Sequence, residues 1–281
     1  MIHLQRARTA KHIPPSFRDP KRTTRNVALI TTFQAPPFKP KSSLWKSAKK
    51  ALSRESKGKC AYCETPAGAS AHCDVEHFRP KSKYWWLTLC YDNYVFACQI
   101  CNQMHKKDYF PISGVRLVAP ALVANATPAQ LQALAAAMSL EPMANAAAIQ
   151  AWEQALNTEL PDLPDPYHDD PGRWFAWEAD DVLKEVRLVP RDPQNARCRT
   201  IVAAAEQYLG LNREQLLQLR YRMYGYIAAF RDLYQAADIP AHHKNSVATQ
   251  LSTSMETGAS FAGMARHFVR NVWNLPIPVP P

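Results

Sequence analysis

The sequence predicts an α+β protein in which a small cysteine-rich unit with short strands is joined to a mostly α-helical C-terminal region. Two CxxC pairs, Cys60 to Cys63 and Cys98 to Cys101, enclose a segment with short apolar and aromatic runs that favour strands or packed loops. Beyond residue 117, apolar residues recur at three- and four-residue spacing, which is typical of helices. Residues 1–42 are rich in Lys, Arg, Pro and Thr, and this composition predicts a basic arm.

The order of these features gives a domain organisation. We expect a basic arm at residues 1–42, largely extended, with a short strand at 27–33. A zinc-bound domain follows at residues 43–116 and begins with a basic amphipathic helix, 44–57, that Gly58 ends. Residues 117–281 are expected to be mainly helical.

Within the helical region, local signals predict each element. In chain order we expect a helix capped by Thr127, a second from the Glu141-Pro142 pair to about Leu160, a β-hairpin near residues 174–189, a helix over 196–209 ended by Gly210, a long helix capped by Asn212, and a last helix near 261–272. This part of the chain shows little visible chemistry and is mildly acidic, which suggests a partner-binding or regulatory region.

The charge is unevenly distributed along the 281 residues, whose net charge is +10. Residues 1–116 contain 21 Lys and Arg against 7 Asp and Glu, whereas residues 117–281 contain 13 against 17. A strongly basic half that also contains the cysteine pairs predicts a polyanion partner, most simply nucleic acid. The alternative is a solvated basic arm without a specific ligand.

Cysteine usage indicates the compartment. The chain has 7 cysteines, an odd number, and its first residues lack the apolar core of a signal peptide. No apolar run approaches the roughly 20 residues that cross a bilayer. We therefore expect a soluble protein of the reducing cytoplasm with no membrane partner.

The two CxxC pairs predict a structural zinc site. Cys60, Cys63, Cys98 and Cys101 can supply four thiolates to one tetrahedral zinc, because each CxxC turn directs both sulfurs to the same point. Four sulfur ligands leave no open position for water or substrate, so any chemistry must come from the loop that the zinc closes.

That loop contains the residues that phosphodiester hydrolysis needs: a base, oxygen ligands for a divalent cation, and positive charge. Glu76 and His77 are adjacent, and Asn102 directly follows the last cysteine of the pair. We expect Glu76 and Asn102 to hold a magnesium or manganese ion, since such ions prefer oxygen ligands. His77 would act as general base, with its second ring nitrogen fixed by a backbone carbonyl, and Asn93 would brace the loop.

These residues carry a resemblance to a known family. The order CxxC, then Glu76-His77-x-x-Pro80, then Asn93, then CxxC-Asn102 resembles the HNH endonuclease motif of the ββα-metal fold. The resemblance implies that the zinc-bound core is a ββα-metal nuclease in which His77 activates water, Asn93 supports the loop, and Glu76 and Asn102 hold the cation.

Three residues leave alternatives open in these assignments. At the third position of the HNH motif this chain has Asn102 and not His, a variant that the family tolerates. Asp74 is a candidate to assist or replace Glu76. Cys73 is close enough in sequence to belong to an alternative zinc set. Basic residues around the motif are expected to contact the nucleic-acid backbone, namely Arg79, Lys81, Lys83, Lys106 and Lys107.

The whole chain also resembles the longer HNH proteins of anti-phage systems of the Septu and retron-associated type. The similarity rests on EHFRPKS, the CNxxxK run, the aspartate- and proline-rich loop near residues 165–171, LGLNR at 209–213, and Ala265-Arg266 in the last helix. It implies a nuclease that cuts DNA, with RNA as the other candidate, and that works with an ATPase partner. The alternative hypothesis is a non-catalytic zinc module that binds nucleic acid or a partner protein.

Overall fold

The computed structural model describes residues 1–66 and 72–280, and the fold is α+β, mostly helical with two small antiparallel sheets. The helices are α1 (Lys21–Gln34), α2 (Ser43–Lys46), α3 (Lys49–Glu55), α4 (Pro128–Ala137), α5 (Ala146–Asn157), α6 (Ala196–Leu209), α7 (Glu214–Gln235), α8 (Ala241–Ser254) and α9 (Ala262–Arg266). The strands are β1 (Cys73–His77), β2 (Tyr94–Cys98), β3 (Phe175–Asp180) and β4 (Glu185–Pro190), and two π-helices span Ile100–Lys106 and His267–Val272.

The first 42 residues differ from the expected extended arm, because they pack onto the rest of the protein. Met1, Ile2 and Leu4 are buried in the hydrophobic core. The Arg6 guanidinium forms an ion pair of 3.1 Å with Glu55, and Arg8 forms one of 2.6 Å with Asp92. Part of the basic charge of this half is therefore neutralised within the protein.

Helix α1 occupies the place of the expected strand at residues 27–33. Its β-branched residues favour a strand locally, but its buried residues, Arg22, Asn26, Leu29 and Ile30 among them, follow helical spacing. The Asn26 side chain donates to the Ala135 carbonyl of α4 at 2.9 Å. Tertiary packing against α4 thus outweighs the local propensity.

Strands β1 and β2 pair antiparallel, with Cys73 opposite Cys98 and His77 opposite Tyr94. The connection between them contains the aromatic run at residues 84–87, which forms a short 3₁₀ helix at Trp85–Leu87. All of its side chains are buried, so they pack in the core and are not presented to nucleic acid. The π-helix Ile100–Lys106 follows β2 almost at once.

The helical region follows most of the expected signals. Thr127 caps α4 through a capping box with Gln130, and Gly210, at φ 62°, ends α6 in the left-handed conformation. Helix α5 begins at its Asn145 cap and not at the Glu141-Pro142 pair. Asn212 is not the cap of α7; its side-chain amide instead bonds to the backbone N–H and carbonyl of Leu188 in β4, both at 2.9 Å.

The helical region is joined to the cysteine-rich unit by direct packing. Helix α6 contacts the π-helix Ile100–Lys106, and one hydrophobic cluster extends through both halves of the chain. A Cβ at Gly210 would lie 2.4 Å from Nε2 of His105, so any other residue here would displace the His105 ring and also strain the left-handed backbone. In residues 1–66 and 72–280, no helix has both the length and the apolar character needed to cross a membrane.

Candidate active site

The four paired cysteines form one compact cluster. The Sγ atoms of Cys60, Cys63, Cys98 and Cys101 all lie within 4.8 Å of one another, and all four residues are buried. The backbone N–H of Cys98 points to Cys60 Sγ at 3.3 Å, and hydrogen bonds from Cys101 and Cys60 lower the pKa of Cys63. Four buried, converging sulfurs fit a tetrahedral zinc, which would displace the remaining thiol protons on binding.

Two arginines of the helical region face this cluster. The Arg213 guanidinium donates to Cys101 Sγ at 3.7 Å, next to the start of α7. Arg220, about two turns further along the same helix, is 3 % exposed. Burial lowers the pKa of Arg220 to about 10, while Cys63 and Glu64 oppose that shift. A zinc with four thiolates has a net negative charge, and these guanidinium groups supply compensating positive charge.

We expect Arg213→Ala to weaken zinc retention. Loss of the hydrogen bond to Cys101 Sγ removes a group that orients and neutralises one sulfur, and such outer contacts are typically worth about 10–100-fold in metal affinity. The measurement is the rate of zinc transfer to a colorimetric chelator. Arg222→Ala, at an exposed position on the same helix, is the matched control and should release zinc at the wild-type rate.

The β1–β2 sheet and the π-helix bring the three expected motif residues together. Glu76 and His77 at the end of β1 and Asn102 in the π-helix line one cavity of about 200 Å³. The rest of its lining consists of Pro80, Lys81, Gln103, Lys107 and Asp108. We call this space the EHN cavity.

The His77 ring is held in a defined orientation. Its Nε2 lies 3.0 Å from the carbonyl oxygen of Thr88, and Trp45 and Tyr94 contact the ring edge-on, with centroids 4.9 and 5.1 Å away. Because a carbonyl only accepts, Nε2 carries the proton and Nδ1 keeps its lone pair. Burial lowers the pKa of His77 to about 3, so the imidazole is neutral at pH 7.

Glu76 has a buried partner that the sequence did not indicate. Its Oε1 lies 2.5 Å from Nζ of Lys106, whose side chain is fully buried and also donates to the His77 carbonyl at 3.0 Å. Burial raises the pKa of Glu76, and the Lys106 charge opposes that rise. Lys106 therefore positions Glu76 and the end of β1.

Asn93 has the geometry of the expected brace. Its Oδ1 accepts from the Arg79 N–H at 2.8 Å, and its Nδ2 donates to the carbonyls of Arg79, at 2.9 Å, and Leu87, at 3.3 Å. These bonds fix the chain directly after His77. Asn93 does not line the EHN cavity, so it acts on the site through the backbone.

The structure corrects two of the expected phosphate contacts. Arg79 is 4 % exposed and pairs with Glu159 at 2.7 Å, and Lys106 is 0 % exposed and pairs with Glu76. Neither side chain reaches the surface, because each compensates a buried carboxylate. Lys81 and Lys107 line the EHN cavity, and Lys83 is exposed nearby in sequence.

The second carboxylate of the cavity is Asp108 and not Asp74, the candidate that the sequence suggested. Asp74 accepts from the Gln103 amide at 2.9 Å and lies 3.7 Å from the Lys49 ammonium, and it does not line the EHN cavity. Asp108 does line it, and its charge acts on His77. Its position six residues after Asn102, just beyond the π-helix, is the only signal in the sequence that marks it.

Comparisons with known proteins give one partial relative. No protein-family model matches the chain, and no solved structure matches it. A protein named Septu protein PtuB, from Bacillus mycoides (strain KBAB4), is 38% identical over 81 residues, which cover 24% of this chain and 28% of that protein. The similarity thus extends over little more than a quarter of the relative's length, and it relates this chain to a Septu protein.

Proposed function

We propose that this protein is a metal-dependent HNH-type endonuclease that hydrolyses phosphodiester bonds, with DNA favoured over RNA. The observation that carries the proposal is that Glu76, His77 and Asn102, separate in sequence, line one cavity beside a four-cysteine cluster. Two lysines, Lys81 and Lys107, line the same cavity and supply charge for a phosphate. A base, oxygen donors and cations are the groups that this reaction requires.

In this proposal His77 is the general base. The Thr88 carbonyl holds Nε2–H, so Nδ1 accepts the proton of the attacking water as the new phosphorus–oxygen bond forms. Asn93 keeps the following residues in place, and Lys106 holds the β1 carbonyl and the Glu76 carboxylate. The imidazole therefore reaches the phosphate in one fixed orientation, which lowers the entropic cost of the reaction.

The donors of the EHN cavity fit a hard divalent cation. Glu76 and Asp108 offer carboxylate oxygens and Asn102 an amide oxygen, a set that suits magnesium or manganese and not zinc. When bound, such an ion would stabilise negative charge on the phosphate and the leaving oxygen. The Lys106 ammonium contacts one oxygen of Glu76, which leaves fewer of its lone pairs for a cation. Asp108 offers a second carboxylate in the same cavity.

The biological role that we propose is anti-phage defence. The partial similarity to a Septu protein supports it. We propose that an ATPase partner works with the nuclease, and that the helical region contributes to this contact.

One assay tests the proposal against its alternative. Purified protein is incubated with plasmid and with total RNA, with and without magnesium. A nuclease gives magnesium-dependent products, whereas a non-catalytic zinc module gives salt-sensitive binding and no product. Absence of cleavage of both substrates, in the presence of a co-expressed partner as well, would reject the proposal.

We expect Asp108→Asn to raise the magnesium concentration needed for half-maximal cleavage by about tenfold. Removing one charge a few ångströms from a divalent ion in a solvated site costs ~1–2 kcal/mol. Manganese binding, followed by electron paramagnetic resonance, should weaken in parallel. Asp238→Asn, an exposed acid in the helical region, is the control, and equal effects in both variants would contradict the role of Asp108.

A further inference from the structure

A second cavity, distinct from the EHN cavity, lies between the N-terminal segment, α3 and the end of the chain. Its volume is about 640 Å³, and we call it the basic cavity. It is lined by His3, Gln5, Arg6, Ala7, His12, Ala51, Arg54, Glu55, Lys57, Thr257, Arg266 and Pro280. None of these residues lines the EHN cavity, and none is assigned a role in the proposed reaction.

The single carboxylate of this lining is already used within the protein. Glu55 pairs with the Arg6 guanidinium at 3.1 Å and accepts from the Ala7 N–H at 3.1 Å and the Tyr91 hydroxyl at 3.0 Å. The residue is 9 % exposed. Its charge is therefore balanced by Arg6, and it does not pair with the other cations of the wall.

Those cations are Arg54, Lys57 and Arg266. Within residues 1–66 and 72–280, none of the three forms an ion pair with a carboxylate. Among the described residues, Arg54 donates to the His12 carbonyl, at 3.4 Å, and Arg266 donates to the Met255 carbonyl, at 2.8 Å. Three positive charges from two distant parts of the chain thus meet at one concave surface, and of the three Arg266 also experiences the charges of Glu64 and Asp170.

Such an arrangement attracts a ligand of opposite charge. Arg54 and Lys57 are exposed, and Arg266 is half-buried, which lowers its pKa. Guanidinium groups present several donors in a planar fork that matches phosphate oxygens. A cavity of this volume accommodates a nucleotide-sized molecule.

We propose that the basic cavity binds a phosphate-bearing ligand, with Arg54, Lys57 and Arg266 as its contacts. The shared chemistry is the phosphate group, and its source is either a free nucleotide or the phosphodiester backbone of a nucleic acid. The inference does not rest on the proposed nuclease reaction, because the residues of the two sites do not overlap.

The test measures binding of three probes to the full chain by calorimetry at physiological ionic strength: pyrophosphate, a nucleoside triphosphate and a short single-stranded oligonucleotide. The variant is Arg54→Glu with Lys57→Glu, two exposed positions whose exchange should leave the melting temperature unchanged. We expect about tenfold or greater loss of affinity, because two attractive charges become repulsive. The neutral pair Arg54→Gln and Lys57→Gln should give an intermediate loss.

The matched control is Lys39→Glu with Arg222→Glu, which makes the same change of net charge at exposed positions outside the cavity. If the cavity variant loses affinity for pyrophosphate and for the triphosphate while the control variant keeps it, the ligand is a free nucleotide. Loss confined to the oligonucleotide identifies the nucleic-acid backbone. The proposal is overturned if no probe binds, or if the control variant loses affinity to the same extent. All three affinities are measured without a divalent ion and report binding, not cleavage, so a failure of this proposal and a failure of the nuclease proposal are separate results.

Discussion

Replacing His77 with alanine is expected to lower the rate of magnesium-dependent cleavage by roughly 10²–10⁴-fold, the usual contribution of a positioned general base. The reason is the fixed ring: Nε2 is committed to the Thr88 carbonyl, and Nδ1 is the nitrogen that can accept a proton at the EHN cavity. The measurement is the single-turnover rate on plasmid DNA, and on RNA if RNA is the substrate.

A structural effect of this substitution must be separated from a catalytic one, because the His77 ring packs against Trp45 and Tyr94. Zinc content and melting temperature of the variant are therefore measured, and His77→Asn provides a second variant that fills more of the space. His242→Ala, at an exposed position in α8, should retain full activity. Undiminished cleavage by the folded His77 variant would refute the assignment of His77 as base.

The four-cysteine cluster could be predicted from the sequence because its signal is local. Each CxxC turn sets the separation of two sulfurs, and two such turns require only that the segments meet. The structure confirms a compact cluster of Cys60, Cys63, Cys98 and Cys101. The α+β class, the β-hairpin near residues 174–189 and the helix α6 were likewise marked by periodicity and by turn residues.

The partners of the buried charges could not be predicted, because they depend on contacts between distant parts of the chain. Arg79 pairs with Glu159, 80 residues later, and a surface arginine and a buried one look the same in sequence. Lys106 reaches Glu76 only because the π-helix packs beside β1. The Thr88 carbonyl, 11 residues beyond His77, is a backbone group and has no sequence signature.

The N-terminal segment shows how tertiary contacts override composition. Many basic residues and prolines predicted an extended arm, yet Met1, Ile2 and Leu4 enter the core and α1 packs on α4. The arginines of this segment pair with Asp92, Glu55 and Glu141. The positive charge available to a polyanion is consequently smaller than the sequence count suggests.

Replacing Cys60 or Cys98 with serine is expected to remove zinc and to unfold the unit that contains the EHN cavity. Zinc binding to structural centres contributes on the order of 10–16 kcal/mol, which is comparable to or larger than the ~5–15 kcal/mol stability of a whole domain. Cys60 follows α3 and Cys98 ends β2, so the centre ties these elements together. The measurements are zinc content by atomic absorption and the melting temperature, and a strong chelator should reproduce the effect in the wild-type protein.

Cys73 and Cys198 are the matched controls for this loss. Cys73 lies opposite Cys98 in the β1–β2 sheet, yet its sulfur is outside the four-sulfur cluster, and burial raises its pKa to about 12, which keeps the thiol protonated. Cys198 is buried in α6 and contacts the Arg173 carbonyl. Serine at either position should leave the zinc content unchanged. If Cys73→Ser released zinc and Cys98→Ser did not, the ligand set would have to include Cys73, and the zinc would connect β1 directly to the turn at residues 60–63.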